Sequence, residues 1–201
     1  MKKLVSFLAL SLAFVLSAQA QKGLGSLGNI LSNAASTVYS APVSLDGSYK
    51  YNGAAISATS SEGGVLTNLA GTAVTSGMET KADEYLAKVG IKPGAMNFTF
   101  NSADNTFTLN VGSLSLPGTY KVSSGEKVVT LTFGKSLQFF SMSGVLQSHM
   151  NGAKMLFPAD KAMAFIKKLA AKMGENASQV AGLAKLADGY DNYKIGFKLS
   201  K

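Results

Sequence analysis

Large apolar side chains stand at every second position over much of the second half of the chain. In "NFTFNSADNTFTLNVG", Phe98 and Phe100 alternate with Thr99 and Asn101, and after "SADN" the beat resumes with Phe107, Leu109 and Val111. Strict alternation means one apolar and one wet face, and the short polar break means a hairpin. The same period recurs in "AMNFTFNS", "NTFTLNVG", "PGTYKVSS", "EKVVTLTFG", "SLQFFSMSG" and "VLQSHMNGAKMLFP". The connectors "SADN", "SLSL", "SSGE", "GK" and "SG" are too short for parallel crossovers, so these six strands form an antiparallel meander.

Two other segments follow a helical period. Between Glu62 and Val89 the positions Val65, Leu66, Leu69, Val74, Met78, Ala82, Tyr85, Leu86 and Val89 fall mainly three or four apart, which predicts a helix broken near Gly71 or Gly77. "GIKPG", Gly90 to Gly94, is a helix stop. "PADKAMAFIKKLAAKMG" predicts a second helix with Asp160 as cap, Met163, Ile166, Leu169 and Met173 buried, and Lys161, Lys168 and Lys172 outside. A short helix is expected around Ser178 to Ala187.

Strands also flank these segments. "GSYKYNGAAISA", Gly47 to Ala58, puts Tyr49 and Tyr51 on one face, and "NYKIGFKLSK" puts Tyr193, Ile195, Phe197 and Leu199 opposite Lys194, Lys198 and Ser200. The expected fold is mainly β with helical insertions, an antiparallel up-and-down barrel of about eight strands, a size at which a barrel holds packed side chains or one small ligand. One helical segment lies between strands one and two, and the others precede the last strand. An open α+β sheet is the competing architecture. The barrel is favoured because so long a meander with one apolar face must curl or leave two edges exposed.

The N-terminus carries a different signal. Lys2 and Lys3 precede an apolar run from Leu4 to Leu16, and small residues stand at Ala18 and Ala20. This is the three-part form of a secretory leader, with cleavage expected after Ala20. The run is shorter than the roughly 20 apolar residues of a membrane span. Residues 21–45, low in charge and rich in Gly, Ser and Ala, read as a flexible arm with one marginal helix. Residues 46–201 form one domain.

Composition narrows the chemistry. The chain has 0 Cys, which removes disulfides, thiolate metal sites and a lipid-anchoring cysteine at the cut site. All 19 basic residues are lysine; losing Lys2 and Lys3 leaves 17 against 11 acids, a net charge of +6. Without Arg, and with the lysines dispersed, nucleic acid is not an expected partner. The mature chain is expected in the periplasm or outside the cell, without a transmembrane segment. Its diffuse positive surface favours anionic lipid or polysaccharide weakly and in a salt-dependent way.

Four segments taken together, "GSYKYNG", "GIKPGAMNFTFNSADNTFTL", "GTYKV" and "YDNYKIGFKLSK", resemble a lipocalin-like domain-of-unknown-function family, DUF4923, of secreted Bacteroidetes proteins. The resemblance spans roughly Asp46 to Lys201. It implies a small lipocalin-like barrel and an envelope location, with no assigned activity and no catalytic residues. The chain departs from the family pattern at strand one, where Tyr49 stands in place of an expected Trp.

Several motifs yield no site when weighed in context. "GLGSLG", Gly23 to Gly28, matches a dinucleotide loop in letters but lacks the strand before it. "SGEK", Ser124 to Lys127, matches S-x-x-K but falls at a hairpin turn. His149, the only histidine, has no cysteine partners for zinc and no neighbouring carboxylate to orient a pair with Ser143. Glu79, Asp83 and Glu84 read as the solvated side of an amphipathic helix, although a carboxylate pair could serve acid/base chemistry. Asp188 and Asp191 lack the rest of a calcium loop. No catalytic residue, metal or cofactor is therefore assigned.

What remains is the apolar strand face: Phe98, Phe100, Phe107, Leu109, Tyr120, Leu131, Phe133, Phe139, Ile195 and Phe197. These residues are either core or the lining of a pocket for a small hydrophobic ligand. The first expectation is a non-enzymatic exported barrel that binds a small apolar molecule or an envelope component. The second is a filled barrel acting as a structural or interaction protein, and a hydrolase is a distant third.

Overall fold

The structure, a computed structural model, describes residues 44–59, 65–123, 127–149, 151–186 and 190–201. The expected leader, most of the arm, "GLGSLG", Ser124 and Asp188 lie outside these residues. The described residues are built on eight antiparallel strands: β1 (Gly47–Thr59), β2 (Met96–Asn101), β3 (Thr106–Val111), β4 (Leu114–Ser123), β5 (Val128–Phe133), β6 (Ser141–His149), β7 (Gly152–Pro158) and β8 (Asp191–Ser200). Each pairs with the next, and β8 returns to β1 to close the barrel. Closure removes the two exposed edges that an open sheet would have kept.

Helix α1 (Val65–Ala87) connects β1 to β2; α2 (Ala159–Lys172) and α3 (Ala181–Lys185) lie between β7 and β8. The expected break in α1 is absent: the helix runs 23 residues through Gly71 and Gly77. Glycine costs a helix only about 1 kcal/mol per residue, and burial of Met78, Ala82 and Leu86 outweighs it. At the end of α1, Gly90 adopts φ +78°. The Ile91 N–H donates to Leu86 O and the Gly90 N–H to Ala87 O, so Gly90 closes a Schellman stop. Helix α2 also starts differently from expectation. Pro158 occupies the cap position and makes no side-chain cap bond, while Asp160 lies in the first turn.

The meander keeps its six strands but shifts three boundaries. "SLSL" is not a connector, because Leu114 to Leu116 already pair with β3. Nor is "SG" a break. Gly144 lies inside β6, where an added Cβ would run into the carbonyl oxygen of Leu156. Glycine here marks a close backbone approach rather than a turn. Finally, "SLQFFSMSG" starts as a 3-10 turn, Lys135–Leu137, and only its end enters β6, whereas "VLQSHMNGAKMLFP" is the β6–β7 hairpin.

One continuous hydrophobic cluster joins the barrel interior to the helices. It already includes Leu45, 2% exposed, one residue before the expected domain start. Its carbonyl accepts from the Tyr120 hydroxyl at 2.7 Å, tying the chain ahead of β1 to β4.

Candidate functional site

Three places hold the candidate residues: the barrel interior, the junction of α1 with β1, and the turn after β5. In the interior, Phe98, Phe100, Phe107, Leu109, Tyr120, Leu131, Phe133, Ile195 and Phe197 are each 4% exposed or less. The rings lie against one another. Phe98 stacks on Phe100 with centroids 5.7 Å apart, Phe100 meets Tyr120 edge-on at 5.1 Å, and Phe107 meets Phe133 edge-on at 5.1 Å. Helix α2 adds Phe165, 5.1 Å from Phe133 and 6.1 Å from Phe197. Aromatic contacts at these spacings contribute about 0.5–1.5 kcal/mol each beyond area burial. Tyr49 lies edge-on to Phe100 at 5.8 Å, and the Lys201 ammonium sits 5.3 Å from its ring centroid. The position where the family pattern leads to an expected Trp is thus still a buried aromatic.

Phe139 departs from this group. It is 67% exposed, and both it and Gln138 have positive φ, +55° and +56°. The left-handed region costs a non-glycine residue roughly 1–2 kcal/mol. Hydrogen bonds from Phe139 N to Gly134 O and from Phe140 N to Leu137 O hold the turn. The two left-handed residues break the strand alternation, so Phe139 points outward while Phe140 packs against Phe165.

The α1–β1 junction overturns the reading of Glu79 and Asp83 as a solvated face. β1 pairs with β2 only through Gly47 to Lys50, and beyond that its edge meets α1 instead of a strand. Asp83 Oδ1 accepts from the Ala54 N–H at 2.7 Å and from the Tyr51 hydroxyl at 2.6 Å. Glu79 Oε1 accepts from the Ile56 N–H at 3.3 Å. Carboxylates four residues apart on a helix are spaced about 6 Å along its axis, close to the roughly 6.8 Å between alternate N–H groups on a strand. The pair therefore substitutes for a missing strand. A bulge between Tyr51 and Ala54 makes room: Gly53 has φ +124°, and an added Cβ there would lie 3.3 Å from Asp83 Oδ2.

Glu79 also binds Lys198 Nζ at 2.6 Å, with both side chains about one-fifth exposed. Burial and the Asp83 carboxylate hold the Tyr51 phenol well above its ordinary range. Lys154, which pairs with Lys198 across β7 and β8, is lowered by burial, with Glu79 opposing that shift. His149 is lowered by partial burial and then by the charges of Lys154 and Lys198. Ser143 hydrogen-bonds Thr130 at 2.8 Å, and both lie on the outer face of the barrel. Among the described residues, no group of three or more His, Cys, Asp or Glu could hold a metal ion.

The sequence reasoning missed Tyr51 and Lys198 as partners of this junction. An isolated glycine inside a strand pattern, Gly53, was the available signal, because it marks a bulge or a close approach.

The family model of a lipocalin-like domain (DUF4923) matches residues 25–201. Among curated proteins there is no match. A solved structure, that of a DUF4847 family protein from Bacteroides vulgatus, is similar at 13% identity with a TM-score of 0.32, covering 76% of this chain and 92% of that one. Among the described residues no helix is long and apolar enough to cross a membrane.

Proposed function

The chain belongs to the lipocalin-like DUF4923 family, and from that premise we propose that it is an exported, non-enzymatic barrel that works through its outer surface rather than by enclosing a ligand. The observation that carries this reading is the interlocked interior. Phe98, Phe100, Phe107, Phe133, Phe165 and Phe197 form a connected set of ring contacts, and each ring is 2% exposed or less. An apolar ligand would have to displace rings that already fill one another's contact surface, giving up dispersion and burial to gain the same. The chemically versatile side chains support the non-enzymatic reading. Asp83 and Glu79 are spent on the β1 edge, and Glu79 additionally on Lys198.

Thermal unfolding against a panel of fatty acids, an envelope lipid extract and a fluorescent apolar probe tests the proposal. No rise in Tm is expected. Bound ligand at 100 times its Kd would add about 2.7 kcal/mol to the folded state, so a saturable rise would overturn the surface-acting reading. Export is tested by intact mass of the chain recovered from the cell. A start at Gln21 supports it, and retention of Met1 to Ala20 removes it.

A further inference from the structure

Beside the outward-facing Phe139 lies a cleft of about 270 Å³, lined by Ser136, Leu137 and Gln138 of the turn after β5 and by Lys168, Ala171 and Lys172 of α2. Among the described residues its only charged lining groups are the two lysines. Lys168 Nζ donates to Gln138 Oε1 at 2.9 Å, which fixes one ammonium against the turn. Ser136 keeps its hydroxyl oxygen buried with no hydrogen-bond partner, an exception that native structures seldom leave unexplained. The nearest acids along α2 and its exit, Asp160 and Glu175, do not line the cleft. A helix C-terminus alone disfavours an anion, so the two ammoniums must supply the attraction.

We propose that this cleft and Phe139 together form a contact for an anionic lipid surface, with Lys168 and Lys172 receiving a headgroup phosphate and the Phe139 ring entering the interfacial layer. The cation-only lining selects the charge of the ligand. The exposed ring selects its source, because a free phosphate has no use for an aromatic held outward at a backbone cost. Phe139 follows Gln138 directly, and the hydrogen-bonded turn holds both in place. Aromatic side chains favour the headgroup level of a bilayer, and lysines beside them add an attraction that salt screens. Ser136, by a change of rotamer, would turn its unpartnered hydroxyl toward a phosphate oxygen. The inference rests on the surface-acting reading. If it fails while apolar ligands leave Tm unchanged, that reading stands.

The chain contains 0 Trp, so Phe139→Trp installs a single emission reporter at the site. The full chain as recovered from cells, carrying this substitution, is titrated with vesicles of phosphatidylglycerol, vesicles of phosphatidylcholine, and soluble glycerol phosphate. The expected result is a blue shift with phosphatidylglycerol at low salt, at least about tenfold tighter than with phosphatidylcholine and weakened by salt. Adding Lys168→Ala with Lys172→Ala should weaken it by about tenfold or more, with circular dichroism unchanged. Co-sedimentation of Phe139→Ser with phosphatidylglycerol vesicles should also fall. An equal shift with phosphatidylcholine, insensitivity to the lysine replacements, an equal response to glycerol phosphate, or no shift at all would overturn the proposal.

Discussion

Asp83 Oδ1 lies 2.6 Å from the Tyr51 hydroxyl, across 32 residues of sequence, and the same oxygen takes the Ala54 N–H. One carboxylate thereby satisfies two donors at the bulge in β1 and fixes α1 to the barrel. Asp83→Ala leaves both donors without their acceptor and should destabilise the fold by about 2–6 kcal/mol, given about 1–3 kcal/mol for each unsatisfied buried group. Asp83→Asn keeps an acceptor oxygen and should cost about half as much. Urea unfolding of the two variants, with Tyr51→Phe to complete a double-mutant cycle, measures the coupling. Equal stability of Asp83→Ala and the parent would remove the junction's structural role.

Phe165 and Phe139 are the same residue type with opposite expectations. Phe165 is fully buried and touches Phe133, Phe140 and Phe197, so Phe165→Ala should cost about 3–5 kcal/mol. Phe139→Asn replaces an exposed ring at φ +55° by a residue that tolerates that conformation, so stability should hold or rise by up to about 1 kcal/mol. Chemical denaturation of both variants checks the contrast, which disappears if the turn after β5 is part of the core.

Alkaline pH should destabilise the protein through its buried phenols. Burial pushes Tyr193 up to about 12, and its hydroxyl has no hydrogen-bond partner; Tyr51 is raised by burial and by Asp83. A raised phenol keeps its proton in the folded chain while the unfolded chain releases it near pH 10, so above that value the folded state binds more protons. Stability is fully present below about pH 10 and falls as pH rises toward the folded values. Tyrosinate absorbance should therefore show these two phenols titrating late. Tyr193→Phe should make the loss of stability between about pH 10 and 12 shallower.

His149 carries the opposite sign. Its pKa is lowered from the ordinary 6.5 by partial burial and by Lys154 and Lys198. The unfolded imidazole therefore takes up its proton first as pH falls, and the stability this group contributes is present above about pH 6.5 and lost below it. The imidazole proton signals in an NMR pH titration should give a midpoint below 6.5. His149→Gln should leave stability at neutral pH within about 0.5 kcal/mol and flatten part of the acid limb. A midpoint at or above the ordinary value would contradict the assignment.

The alternation of Phe98, Phe100, Phe107 and Leu109, and of Tyr193, Ile195, Phe197 and Leu199, by itself determined which side chains face inward. The period of a strand is a local property of the backbone. The helix stop at Gly90 was legible for the same reason: its hydrogen bonds join residues no more than five apart. Short connectors likewise determined antiparallel order. Tertiary structure decided everything that depended on a distant neighbour. Gly144 reads as a turn residue until the Leu156 carbonyl passes over it, and Gly77 reads as a helix break until the buried face of α1 carries the helix through it. Phe139 continues an alternating pattern in the sequence, yet the backbone of the turn expels it. Glu79 and Asp83 look solvated in one dimension. They became edge partners of β1 because the bulge at Gly53 and the end of β2 pairing at Lys50 left two N–H groups without a strand. The two carboxylates exchange water for charge-assisted bonds to donors that would otherwise stay unpaired at a packed edge, and only the folded chain brings the groups together.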